Sequence, residues 1–127
     1  MTEVRGRALV LKEPLSLWGG MDPATGELID AHHPQRGAQM AGCVVVMASG
    51  RGSSSSASVL AEAVRAGVAP AAILLAEHDL ILAIGSTVAE ELYGRTVPVL
   101  VLPAERLAQI ADGAEVVIGE GGAVRTA

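Results

Sequence analysis

The stretch MASGRGSSSSASVLAEAVRAG, residues 47–67, joins a strand pattern to a helix pattern through glycine, arginine and four consecutive serines. Apolar residues after the serines recur at helical spacing, which predicts an amphipathic helix that runs to about Arg65 and stops at Gly67. A flexible linker is the other interpretation of a serine run. Composition does not change across the run and both flanks are strongly patterned, so we favour a strand–loop–helix unit.

The segments around this unit repeat the same alternation. Residues 43–48, CVVVMA, form a continuous apolar run that predicts a strand buried on both faces. Residues 71–76 and 97–102 predict two further buried strands, and residues 78–94 between them predict one or two helices with a break at Gly85. This order predicts an α/β fold with a partly parallel central sheet.

Sequence patterns near the two ends of the chain predict further strands joined by tight turns. Short apolar runs punctuated by proline and glycine predict a β-rich N-terminal third, with a turn between a strand ending near Trp18 and another beginning near Leu28. Residues 32–42 are typical of a loop. Near the other end, Pro103 opens a short predicted helix, and residues 114–127 predict a closing hairpin that turns at residues 120–122. The expected fold is therefore an α/β domain with a mixed sheet.

Composition excludes several classes of function. The 127 residues suit one domain, residues 1–127, and the net charge of −5 without a basic cluster argues against nucleic acid as a partner. No apolar run reaches the ~20 residues that span a bilayer, so we expect no membrane association. A single cysteine cannot form an intrachain disulfide, which fits a cytoplasmic setting. With one cysteine, Cys43, and histidines without metal-type spacing, we expect no metal or cofactor bound by this chain alone.

The serine run has two possible roles. A glycine-rich turn between a strand and a helix brings backbone N–H groups and hydroxyls close to a ligand, which suits a carboxylate or phosphate. A single serine before a helix is usually only an N-cap. Four serines after Gly-Arg-Gly leave both roles open.

Several motifs resemble the small subunit, or swivelling domain, of the aconitase X family of hydro-lyases. The resemblance runs from about Gly6 to the final hairpin, and it rests on PLSLWGGMDPATGELID, HHP, GRGSSSSASVLAEAVRAGVAPAAILL and VPVL. It implies a swivelling β/β/α domain that closes over a large, cysteine-bearing subunit with an iron–sulfur cluster. It further implies dehydration of cis-3-hydroxy-L-proline, which we favour, or of mevalonate 5-phosphate, and no activity without the large subunit.

The resemblance also implies roles for individual residues. Ordinary aconitases have Gly-Ser-Ser-Arg at this turn, with the first serine as the base and the arginine on a substrate carboxylate. Here the turn is Gly52-Ser53-Ser54-Ser55, so Ser53 is the expected base and no arginine stands at the last position. This departure argues against a tricarboxylate. Arg51, Gly52, Ser54 and Ser55 are the expected substrate-binding residues.

Each of the other candidate residues has both a structural and a functional interpretation. We expect Trp18, Gly19 and Gly20 at an interface with the large subunit or at the pocket. Asp22 is first an Asx-turn residue and second a pocket residue, and His33 is first a loop-fixing residue beside Pro34 and second a pocket residue.

Two other functions remain as alternatives. A non-catalytic anion-binding or regulatory module would use the same serine loop without a proton transfer. A serine hydrolase is disfavoured, because Gly-x-Ser-x-Gly and a recognisable triad order are both missing from the sequence.

Overall fold

The fold is described by a computed structural model covering residues 2–127. Within this range the strands form one six-stranded sheet in the order β4-β3-β2-β1-β5-β6. The elements along the chain are β1 Val4–Val10, β2 Val44–Val46, α1 Ser56–Ala66, β3 Ala72–Leu75, α2 Leu80–Tyr93, β4 Val99–Val101, α3 Ala104–Leu107, β5 Glu115–Ile118 and β6 Val124–Thr126.

The sheet combines parallel and antiparallel pairing. β1, β2, β3 and β4 are parallel neighbours, and α1 and α2 provide the crossovers between β2, β3 and β4. β5 pairs antiparallel with β1, and β6 with β5. The predicted α/β class with a mixed, partly parallel sheet is confirmed, as are the closing hairpin and the helix stop at Gly67, which has a left-handed φ of 78°.

The two faces of the sheet bury different partners. Because side chains alternate along a strand, Val45 and Ile73 pack on the face covered by α1, α2 and residues 11–40. Val44 and Val46 point to the opposite face, where Leu107 and other residues of the α3 region cover them. β2 and β3 are buried on both faces, which explains their uninterrupted apolar runs. The prediction of a buried strand at residues 97–102 is wrong for β4, which lies at the edge of the sheet and is partly exposed.

The predicted β-rich N-terminal third is wrong beyond β1. Residues 11–42, which we call the N-terminal wrap, form no further strand, and their β-type pairing is limited to isolated bridges such as Met21 to Leu28 within the wrap. Positive-φ glycines, among them Gly19 and Gly26, turn the chain too often for strands to extend. The apolar side chains of the wrap pack individually against one face of the sheet.

Two helix predictions also need correction. The predicted break at Gly85 is wrong, because α2 runs unbroken and Gly85 is where it packs on α1. An added Cβ at Gly85 would lie 3.0 Å from the Ala57 Cα and carbonyl oxygen, so glycine permits this close approach. The short helix predicted from the pattern PAERLAQI, residues 103–110, covers only Ala104–Leu107, and Pro103 occupies its N-cap position. None of the helices in residues 2–127 is long and apolar enough to cross a membrane.

Candidate active site

The loop between β2 and α1 lies at the carboxyl end of the parallel strands. In open α/β sheets this is the edge where ligands bind. Residues 49–55, which we call the serine loop, border a small cleft together with the wrap and the start of α2. We call it the serine cleft, and its lining residues are Leu15, Leu17, Gly50, Arg51, Gly52, Ser53, Ser56, Asp79, Ile81 and Leu82.

Ser56 differs from the other three serines of the run. It is the first residue of α1 and only 4% exposed. Its Oγ accepts a hydrogen bond from the Trp18 backbone N–H at 3.2 Å and lies 3.2 Å from the Ser16 Oγ. Ser56 therefore ties the wrap to the beginning of α1.

The side chains of Ser53, Ser54 and Ser55 make no hydrogen bond within residues 2–127. Ser53 is half-buried and lines the serine cleft, whereas Ser54 and Ser55 are exposed outside it. Ser55 is the N-cap residue of α1 but forms no side-chain cap bond. The capping role that the sequence leaves open is thus not filled by the N-cap serine, and its hydroxyl faces solvent instead.

The first turn of α1 presents unpaired backbone donors at the loop. The N–H groups of Ser56 and Val59 donate to the Ser53 and Ser55 carbonyl oxygens, while those of Ala57 and Ser58 have no backbone acceptor in the part of the chain that the structure describes. Free N–H groups and the positive end of the helix dipole favour an anion here.

Two residues of opposite charge border the serine cleft. Arg51 is exposed; its backbone N–H donates to the Leu15 carbonyl oxygen at 3.3 Å, and its guanidinium lies 3.9 Å from the Glu13 carboxylate. Across the cleft, Asp79 caps α2, since its Oδ1 accepts from the Leu82 N–H at 3.0 Å. The other carboxylate oxygen occupies the space where a Cβ on Gly50 would stand, so a side chain at position 50 would displace Asp79.

Asp79 is absent from the sequence-based candidates. Its signal was available, because an aspartate directly before the apolar pattern of α2 is a typical N-cap. What the sequence does not indicate is that this cap lies beside Gly50, 29 positions earlier.

The remaining candidates lie outside the residues that line the cleft. Asp22 forms a turn, because its Oδ1 accepts from the Ala24 N–H at 2.8 Å. His33 is buried and fixes a loop: its Nε2 is 3.0 Å from the Glu13 carbonyl oxygen, and its Nδ1 accepts from the Gln35 N–H at 3.1 Å. These two partners assign the ring proton to Nε2. The turn-forming and loop-fixing interpretations therefore describe both residues.

Trp18, Gly19 and Gly20 follow Leu17 at the rim of the cleft. Trp18 is 60% exposed, and Gly19 takes a left-handed φ of 77° with open space around it. Gly20 is buried, and the place of its missing Cβ is filled by the Ser16 carbonyl and Leu15. The close approach at Gly20 thus serves packing inside the chain, whereas Trp18 and Gly19 are exposed and Trp18 offers the large side chain.

A charged pair on α1 shows a resolved shift in ionisation. The Arg65 guanidinium donates to the Glu62 carboxylate, and these hydrogen bonds lower the pKa of Glu62 below its ordinary value. The pair is solvent-exposed on the helix surface. It takes no part in the cleft lining.

The chain's own residues do not fit an iron–sulfur cluster. Cys43 is buried, and its thiol lies 3.4 Å from the Gln39 carbonyl oxygen. No group of three or more histidine, cysteine, aspartate or glutamate side chains among residues 2–127 is placed to hold a metal ion. No chemical step is therefore assigned to a metal held by this chain.

The fold and the cleft together define a class of protein, a small domain with a mixed sheet and, at the carboxyl ends of its parallel strands, a serine loop suited to bind an anion. The sequence profile of the aconitase X swivel domain matches residues 1–126. The chain belongs to the aconitase X swivel-domain family.

The similar proteins are consistent with this family. The chain is 48% identical to the cis-3-hydroxy-L-proline dehydratase of Pseudomonas aeruginosa over 106 residues, 84% of this chain and 18% of that protein. It is 40% identical to the phosphomevalonate dehydratase small subunit of Methanothermobacter thermautotrophicus, over 67% of this chain and 65% of that one. The chain thus spans less than a fifth of the first relative and about two thirds of the second.

A solved structure gives the same fold. The holo-form of aconitase X from Thermococcus kodakaraensis superposes with a TM-score of 0.86 at 28% identity, covering 98% of this chain and 90% of that chain. The swivel-domain architecture that the resemblance implied is confirmed.

Proposed function

We propose that residues 1–127 are the single-domain small subunit of a two-subunit aconitase X-type hydro-lyase that dehydrates a small hydroxy acid. The favoured substrate is cis-3-hydroxy-L-proline, and mevalonate 5-phosphate is second. The ranking follows identity, 48% to the proline dehydratase against 40% to the phosphomevalonate subunit. The observation that carries the proposal is the Ser53 hydroxyl, which lines the cleft beside the start of α1 without a partner in the described chain.

Ser53 is the proposed base. A serine hydroxyl removes a proton only as an alkoxide, so the site must stabilise negative charge on Oγ. The free N–H groups and the positive end of α1 supply that field, and it strengthens when closure of the domain excludes water.

The proposed step is the elimination of water from the substrate. The Ser53 alkoxide takes the proton from the carbon α to the carboxylate, and the released electron pair forms the carbon–carbon double bond. Hydroxide leaves from the β carbon. The group that receives the hydroxide must come from the large subunit, where we expect the iron–sulfur cluster, and so this chain alone should be inactive.

Substrate binding falls to the rest of the serine loop. The Arg51 guanidinium is only loosely engaged, at 3.9 Å from Glu13, and is free to turn toward a substrate carboxylate. The backbone at Gly52 is open, with nothing within 4 Å of the position of a Cβ. Ser54 and Ser55 lie outside the cleft in this structure, so their contact with substrate requires closure against the partner.

The test is reconstitution with the large subunit of the same organism, followed by assays on both substrates. Ser53→Ala should lower turnover by about 10²–10⁴-fold, the typical loss for a general base. Ser54→Ala and Ser55→Ala serve as matched controls and should mainly raise KM.

Three results would count against this assignment. Normal turnover in all three variants would favour the non-catalytic anion-binding module. Loss of turnover in Ser54→Ala or Ser55→Ala, with Ser53→Ala near normal, would move the base along the loop. No turnover of either substrate by the reconstituted wild-type pair would refute the proposed activity.

A further inference from the structure

Helix α2 exposes a row of large apolar side chains, Leu80, Ile84, Val88 and Leu92. These residues, which we call the α2 stripe, are 74%, 48%, 39% and 65% exposed. Because these residues are four positions apart in a helix, each side chain lies next to the following one along the helix surface. The opposite side of α2 buries Leu82, Gly85 and Ala89. A surface helix normally carries polar residues on its outer side, so an apolar row there indicates an interaction surface.

The α2 stripe is continuous with the serine cleft. Leu80 lies between Asp79 and Ile81, and both of these residues line the cleft. On the other side of the cleft, the exposed Trp18 follows Leu17, which also lines it. A partner that completes the cleft therefore meets exposed apolar side chains on both sides of it.

Charge on α2 disfavours a second copy of this chain as the occupant. The charged residues within the helix are Glu90 and Glu91, both exposed and both acidic. Two α2 helices packed stripe to stripe would bring like charges together, and the chain as a whole carries −5. The surface fits an apolar groove bordered by lysine or arginine.

Chain outside the matched region supplies such an occupant in the relatives. Because this chain corresponds to only 18% of the Pseudomonas aeruginosa dehydratase, most of that protein is available to cover the swivel domain. The homologous phosphomevalonate dehydratase chains are named small subunits, which implies a large one.

We propose that the α2 stripe docks the large subunit, in an apolar groove bordered by basic residues, and so seats this domain over the active site. This inference rests on the proposed function. It adds to the interface expected at Trp18 a second surface on the other side of the cleft.

The test measures the affinity of this chain for the large subunit of the same organism by titration calorimetry. Leu92→Glu adds a charge at the end of the stripe farthest from Leu80 and from the cleft, and it should raise the dissociation constant by roughly 10- to 100-fold. Ala111→Glu is the matched control, because it adds the same charge at an exposed position near α3, and it should leave the affinity unchanged. Leu92→Met keeps an apolar side chain and should bind like wild type.

Activity separates this inference from the proposed function. With enough Leu92→Glu to saturate the large subunit, turnover should return to the wild-type value, whereas Ser53→Ala should bind normally and keep its loss of turnover of about 10²–10⁴-fold. Stripe-sensitive binding without turnover of either substrate would refute the proposed reaction and leave the docking surface standing.

Other outcomes overturn the docking surface itself. Equal affinity of Leu92→Glu and wild type in an active complex would refute it. Light scattering that shows a wild-type dimer, broken by Leu92→Glu while large-subunit binding is unaffected, would assign the stripe to a second copy instead. Failure of the wild-type chains to associate would reject both proposals.

Discussion

Two irregular segments of this domain use polar residues in opposite ways. The N-terminal wrap, residues 11–42, and the serine loop, residues 49–55, both lack regular secondary structure apart from isolated bridges, and both contain glycine and polar side chains. In the wrap most polar side chains are engaged with the chain itself. In the serine loop they are not.

The wrap is held by side-chain to backbone hydrogen bonds. Gln35 donates from Nε2 to the Val10 carbonyl oxygen at 2.8 Å and accepts from the Lys12 N–H at 2.8 Å. Gln39 donates to the Thr25 carbonyl oxygen at 3.0 Å, and Asp22 and His33 make comparable contacts. Beneath them, fully buried Leu28 and Met40 attach the segment to the sheet face.

The serine loop is attached mainly by its backbone. Gly50 pairs with Leu15 in a parallel bridge, and Arg51 donates its N–H to the Leu15 carbonyl oxygen. The hydroxyls of Ser53, Ser54 and Ser55 have no partner among residues 2–127. Loop residues that stabilise a fold form hydrogen bonds with the rest of the chain, whereas the polar groups of ligand-binding residues have no hydrogen-bond partner within the chain. The comparison therefore predicts that substitutions in the wrap change stability and that those in the serine loop change function.

The largest stability effect is expected in the wrap core. Leu28→Ala removes a fully buried side chain and should lower the free energy of unfolding by about 2–5 kcal/mol, measured by chemical denaturation. Its neighbour Ile29 is partly exposed, so Ile29→Ala is the matched control and should cost much less. Equal effects at both positions would mean that the wrap is not packed as described.

His33→Ala comes next in size. It leaves the Glu13 carbonyl oxygen and the Gln35 N–H without their partner at a partly buried place, and this should cost about 1–3 kcal/mol of unfolding free energy. Turnover of the reconstituted enzyme should be unchanged at a temperature where the variant is folded. A specific loss of turnover would instead place His33 in the pocket.

Within the serine run, Ser56 and Ser54 test the comparison most closely. Ser56→Ala removes the acceptor of the Trp18 N–H in a buried site and should destabilise the fold by about 1–3 kcal/mol. Ser54→Ala removes an exposed, unpaired hydroxyl and should stay within about 0.5 kcal/mol of wild type. The two values come from identical substitutions two residues apart, and a reversal of their order would contradict the structure.

The exposed pair on α1 should give the smallest effect and a baseline for the other variants. Hydrogen bonds from Arg65 lower the pKa of Glu62, so its contribution to stability is present above the unfolded-state pKa and is lost as pH falls through the folded-state value. Glu62→Gln should therefore change the thermal midpoint only slightly at pH 7, and not at all once the carboxylate is protonated. A midpoint difference that grows on acidification would contradict this sign.

Much of the fold was predictable because its signals are local. Continuous apolar runs predict β2, β3 and β4, and helical periodicity with Gly67 predicts α1. The wrap was mispredicted as strands, because short apolar runs between prolines and glycines look alike whether they pair in a ladder or pack singly over a sheet. Gly85 was mispredicted as a break for a similar reason, since a glycine that admits a neighbouring helix and one that ends a helix are the same residue.

The sequence by itself determined the α/β class, the strand–serine loop–helix unit and the resemblance to the aconitase X swivel domain, because each depends on residues adjacent in the chain. Only the tertiary structure decided which of four identical serines is buried. The packing of α1 against the wrap turns Ser56 toward Trp18 and leaves Ser53 at the cleft, and no local pattern distinguishes them. The place of Asp79 beside Gly50 was likewise decided by packing, because residues far apart in the chain meet only when the sheet brings two loops to one edge.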